Sequence, residues 1–176
     1  MRTLVGASAI QITFGLPGVF LENFDEIHLH RDIYFSEGMQ QWNAGEVHKA
    51  GLIILSWKNF LEGYLDPDDS RNLGLHEMAH AIRLENMIKN TEHGYFEWDD
   101  IDLFNEYTVI ETNKIKGGEE SIFRPYAALH YQEFFAVLIE VFFEDPVKLK
   151  RYNGGLFDVT CRLLKLNPLD PNIRVR

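Results

Sequence analysis

Asn72-Leu73-Gly74-Leu75-His76-Glu77-Met78-Ala79-His80-Ala81-Ile82-Arg83-Leu84 is the stretch on which the fold turns. Its periodicity predicts a helix over about residues 71–90, with Leu73, His80, Leu84 and Met87 along one side. Inside it, His76-Glu77-Met78-Ala79-His80 is H-E-x-x-H. Residues four apart on a helix stand one above the other, so both imidazoles can reach a single ion. Glu77 shares a turn with His76, where its carboxylate can address a water bound to that ion and take its proton. The bland reading is a helix with two buried, hydrogen-bonded histidines. The motif falls where the periodicity wants a helix, which favours the metal.

Glu77-Met78-Ala79-His80 also reads as E-x-x-H, half of the di-iron carboxylate pattern. That pattern needs a second copy on another helix, and the sequence contains none. A catalytic zinc takes three protein ligands and keeps a fourth position open. Candidates for the third are His93, His130, Glu133 and Glu140. The two glutamates fall in a second predicted helix, His130–Glu144, which Asp145-Pro146 stops. Phe134, Phe135, Val137, Leu138, Val141 and Phe142 make that helix apolar nearly all round, hence central to the core. An ionised glutamate among phenylalanines is costly unless something positive meets it. Glu133, at the opening of the helix, is the first choice for the metal. Glu140 reads instead as a partner to a ligand or a helix-surface carboxylate.

Working outward, residues 2–15 predict a helix that Gly15 to Gly18 ends. Glu26–His30 alternates like a half-buried strand, and Gly51–Trp57 is an apolar run expected to be a well-covered strand. Asp66–Ser70 is a turn able to cap the metal helix. Residues 91–118 form an acidic excursion with local helix, and short helices near 147–152 and 156–166 close the chain. His28 and His30 share a strand face with no carboxylate close by in sequence, so they read as structural; His48 and His93 read as loop or surface residues. The expected architecture is α+β, a small, mostly antiparallel sheet packed on two metal-bearing helices, in one domain over 1–176.

The chain has 176 residues, 45% hydrophobic and 25% charged, with a formal net charge of -10. So acidic a balance argues against nucleic acid as a partner. Cys161 is the single cysteine, which excludes an internal disulfide and a thiolate metal cluster and suits a reducing cytoplasm. Any metal must be held by imidazole and carboxylate, which points to zinc or another first-row metal rather than an iron–sulfur cluster, and one zinc ion per chain is the expectation. Gln11 and Thr13 interrupt the apolar stretch Leu4–Phe20 and Pro17-Gly18 follows, against a signal peptide; no segment has the length of a membrane span.

The chain resembles the Mlc titration factor A family of zinc metallopeptidases, whose metal site is similar to that of the anthrax lethal factor catalytic domain. Arg2–Leu16 with Glu26–His30, then Gly51–Trp57, resemble the entry and the strand before the metal helix. Asn72–His80 resembles the metal helix itself, and Pro125-Tyr126-Ala127-Ala128 through Glu133-Phe134-Phe135 to Asp145-Pro146 resembles the second helix. The resemblance implies a zincin-like fold, His76, His80 and Glu133 as zinc ligands, and Glu77 as general base. It implies Tyr126 as oxyanion stabiliser or proton donor, and Gly51–Trp57 as the sheet edge along which an extended peptide pairs. The family usually has Gln-Leu-Asp where this chain has Ala81-Ile82-Arg83, and Asn-Pro-Ala where it has His130-Tyr131-Gln132. The family also tends to carry an additional N-terminal helical segment, and the resemblance implies that this sequence starts after it.

The first expectation is a zinc peptidase, aminopeptidase-like by the resemblance, acting on peptide or protein substrates. The second, also by resemblance, is a regulatory binder that sequesters a transcriptional repressor of sugar uptake. A structural zinc pinning two helices is the third, and needs a fourth protein ligand such as His130.

Overall fold

Two apolar helices form the frame. The computed structural model describes residues 1–16, 18, 21–67, 69–88 and 95–170. In chain order it runs α1 (Arg2–Thr13), β1 (Glu26–His30), β2 (Tyr34–Ser36), β3 (Gln41–Asn43), β4 (Gly45–His48) and β5 (Leu52–Ser56). Then come α2 (Trp57–Leu65), α3 (Leu73–Ile88), α4 (Trp98–Gly117), a 3-10 turn (Pro125–Ala128), α5 (Tyr131–Glu144), α6 (Pro146–Tyr152) and α7 (Gly154–Leu164). The α+β class is as expected.

On α5, every residue from Phe134 to Phe142 is buried, so it can only sit at the centre. Along it packs α3, whose first turn is capped by Asn72: the side-chain Oδ1 accepts from Leu75 N at 3.1 Å. That cap was expected within the Asp66–Ser70 turn, but lies just after it.

The sheet corrects two expectations. It is mixed: β5 pairs parallel with β1 and antiparallel with β4, in the order β1-β5-β4, while β2 and β3 form a separate antiparallel ribbon. The apolar run Gly51–Trp57 is therefore central rather than an edge, with Ile53 and Leu55 buried. A run that apolar needs cover and pairing on both sides, and the shorter, more polar β4 forms the open edge. Ser56 ends β5 and caps α2, its Oγ accepting from Asn59 N at 3.3 Å, so Trp57 opens a helix instead of ending the strand.

The third correction is α4. The acidic excursion holds one helix of 20 residues, with Asp99 and Asp100 in its first turn and Lys114 and Lys116 in its last, matching the helix dipole. Only Phe104, Thr108 and Glu111 on it are buried, too narrow a stripe for apolar periodicity to reveal. Glu111 is fully buried and accepts from Tyr152 Oη at 2.7 Å, Asn153 Nδ2 at 3.0 Å and Lys114 Nζ at 3.1 Å. Gly118, at φ 74°, caps the end. As predicted, α6 and α7 close the core, and among the described residues no helix is long and apolar enough to cross a membrane.

The crossing of α1 and α3 depends on Gly74. A Cβ there would lie 2.5 Å from Ser8 Oγ and 2.7 Å from Cε2 of the fully buried Phe60. Gly74→Ala is expected to destabilise the fold by about 1–3 kcal/mol, despite alanine's better helix propensity. A lowered urea midpoint at unchanged slope would register it; an unchanged midpoint would mean that the helices separate at no cost.

Candidate metal centre

Each helix contributes to one point. From α3, His76 Nε2 and His80 Nε2 lie 3.2 Å apart. From the first turn of α5, Glu133 places Oε2 3.2 Å from His76 Nε2 and Oε1 3.6 Å from His80 Nε2. One ligand atom from each of the three lies within 4.8 Å of the others. An ion with bonds of about 2.0–2.1 Å and tetrahedral angles sets its ligand atoms about 3.3 Å apart, so the spacing suits zinc.

Protonation supplies a second test of fit. Nδ1 of His76 is 3.2 Å from Oε2 of the buried Glu140, to which it donates. A neutral imidazole would then turn its Nε2 lone pair toward the Glu133 carboxylate, acceptor against acceptor. Only a cation at that point resolves the conflict. In the metal-free chain a proton does so: burial opposes the charge on His76, but Glu133 and Glu140 outweigh it and push its pKa up to about 10. Burial likewise works against the Glu133 carboxylate, and hydrogen bonds from His76 and His80 outweigh it, holding the carboxyl well below its usual range. A metal binding here displaces the His76 proton. The residues fit a metal ion.

Glu140 is thus the partner of a candidate ligand, one of the two readings preferred for it from sequence, and not a member of the ligand group. Its Oε2 also meets the Arg124 guanidinium at 2.5 Å, and its Oε1 accepts from Asn72 N at 2.9 Å. Arg124 donates a further bond to Ser70 O at 2.8 Å. Sequence reasoning demanded a positive group near the buried glutamate; nothing in the pattern singled out Arg124.

The cluster opens into a cleft of about 410 Å³. The α3 side chains His76, Glu77 and His80 form its floor, β4 one wall, and the segment from Tyr126 to Glu133 the other. Glu77 is 4% exposed, and burial raises its carboxyl pKa, making it a better proton acceptor. Gly45 on β4 lets the strand edge come against it, since a Cβ on Gly45 would collide with the Glu77 carboxylate. Sequence gave no sign of that approach. Tyr126, presented by the 3-10 turn, has its ring centroid 6.0 Å from that of His76. Burial and the Glu133 charge push its phenol pKa up, so it remains a hydrogen-bond donor at neutral pH.

The remaining histidines sort differently. His130 lines the cleft but is not in the three-residue ligand group, which matches the count of an open site. His28 Nε2 pairs with Glu26 Oε2 at 2.8 Å, a carboxylate two residues away that the sequence reading passed over. His30 stacks on Tyr34, His48 pairs with Glu46 on β4, and His93 lies outside the described residues.

An H-E-x-x-H helix, a glutamate from a second helix and an open cleft define a metal-site protein of the metallopeptidase kind. The chain belongs to the glucose-regulated metallo-peptidase M90 family, which it matches over residues 1–164 and which is the family its sequence resembles. An uncharacterized protein of Synechocystis sp. is 29% identical over 145 residues, 78% of this chain and 52% of that protein. The chain thus spans about half the length of this curated relative.

Because Glu140 fixes the tautomer and orientation of His76, Glu140→Ala is expected to weaken zinc affinity by about 10–100-fold. Competition with a chromophoric chelator measures it. Undiminished affinity would show that His76 is positioned without its carboxylate partner.

Proposed function

We propose that this chain is a zinc-dependent peptidase whose ligands are His76, His80 and Glu133. The observation that carries the reading is their convergence beside a buried Glu77 in a cleft bordered by an open strand edge. Bound there, zinc would supply Lewis acidity, bringing the pKa of water toward neutrality and polarising a substrate carbonyl.

The chain's own groups account for the rest. An extended peptide pairs with the edge of β4, the role that the family resemblance implies for Gly51–Trp57. Glu77 accepts a proton from the attacking water and returns it to the departing amine. Tyr126 donates its hydroxyl hydrogen to the oxyanion that develops at the carbonyl. Glu140 and Arg124 hold His76 still throughout. Aminopeptidase-like preference is part of the proposal by family resemblance.

A regulatory binder is the second reading, and one observation favours it. On the outer face of the β2–β3 ribbon, Phe35 and Trp42 are 46% and 66% exposed and pack edge-to-face. Such a pair is an apolar anchor suited to a protein partner, for instance a transcriptional regulator.

Glu77→Gln separates the two. It is expected to lower peptide hydrolysis about 10²–10⁴-fold while zinc content, read by atomic absorption, stays at one ion per chain. A wild type that binds zinc but cleaves no peptide in a broad screen would sink the peptidase. A biological effect fully kept in Glu77→Gln would favour the binder.

A further inference from the structure

We propose that Arg83 anchors a carboxylate of the bound peptide, one to two residues from the scissile bond, making the cleft selective for anionic substrates. The proposal rests on the peptidase reading of the cleft and adds a substrate class to it.

Arg83 lies three residues beyond His80 on the same helix, a rise of about 4.5 Å along the axis. It lines the same cleft as His76, Glu77 and His80. Its guanidinium carbon sits 4.0 Å from the centroid of the Tyr131 ring and 5.5 Å from that of Phe135. Tyr131 and Phe135 belong to α5, the helix that also carries Glu133, and with Arg83 they line a second, smaller pocket of about 110 Å³, so Arg83 borders both spaces. An extended peptide advances about 3.3 Å per residue, so the axial rise from His80 to Arg83 corresponds to one to two residues of substrate.

Most charges around the cleft are matched internally, the exposed Lys49 at its rim and the buried Glu77 apart. Glu133 faces both histidines, and Glu140 faces His76 and Arg124. Glu46 is held by Tyr34, Asn43 and His48. Among the described residues, no carboxylate forms an ion pair with Arg83. Burial pulls its pKa down, and the facing Tyr131 only partly restores it. A half-buried cation resting on aromatic faces keeps a share of its cost, which an arriving carboxylate removes. The guanidinium offers a planar pair of N–H donors that matches a carboxylate's two oxygens. With a net charge of -10, the chain repels anions in general, so any preference for them must come from a local group.

Two sources share this chemistry, the peptide's C-terminal carboxylate and an aspartate or glutamate side chain. Calorimetry on zinc-loaded Glu77→Gln protein would use tetra-alanine as free acid and as amide, and amidated tetrapeptides with glutamate or glutamine at each position. One acidic form is expected to bind about tenfold tighter than its neutral counterpart. Which pair differs identifies the source. Arg83→Met in the same background keeps the packing stem and should erase the difference; Arg83→Lys should recover part of it. Equal zinc content and circular dichroism would show the variants folded. Equal affinities within every pair, a preference that survives Arg83→Met, or no binding at all would each overturn the proposal. Binding preference without hydrolysis by the Glu77 protein would sink the peptidase reading alone. Hydrolysis without preference would sink Arg83 alone.

Discussion

The structure depends on one buried carboxylate. Glu140, 2% exposed and surrounded by phenylalanines on α5, cannot remain charged there unless donors surround it. Three do: His76 Nδ1, the Arg124 guanidinium and the backbone N–H of Asn72. Each donor belongs to a different part of the site. Asn72 caps α3, His76 is one of the candidate ligands on it, and Arg124 precedes the turn that presents Tyr126. Satisfying one carboxylate therefore sets the start of α3, the rotation of an imidazole and the approach of the opposite wall. Such a group specifies geometry, and its removal alone would leave three donors without their shared acceptor.

The same accounting explains why the cluster is polarised before any ion arrives. His76 is drawn toward carboxylates at both ring nitrogens, so it is cationic when the site holds only a proton. Exchange of that proton for a metal leaves the hydrogen bonds to Glu140 intact and swaps only the charge at Nε2. Little rearrangement is needed, because the ligand atoms already stand at nearly metal-holding distances.

How much of this could be read from sequence follows from which interactions are local. The α3 motif, the α5 run and the pairing of His76, His80 and Glu133 were legible, because periodicity and motif spacing act within one helix and a buried glutamate demands a cation. The centre of the sheet was also legible as an apolar run, but its neighbours were not. Strand order depends on what a chain pairs with across long separations, and β4 carries only four residues with no turn signature. The α4 helix was hidden because it buries a glutamate and a threonine instead of an apolar stripe. Gly45 was invisible for a related reason: its smallness serves Glu77, 32 positions later, and only the folded chain brings the two together.

The sheet has two ends, and they differ in character. At the β4 end the edge borders the cleft, and among the described residues no further strand pairs with it. At the β1 end the edge strand carries Glu26, His28 and His30, all exposed, with the first two paired at 2.8 Å. Charged and titratable side chains along an edge discourage self-assembly into extended sheets. The two rims of the sheet thus differ: one borders the cleft, and the other carries side chains that guard it against fibre growth.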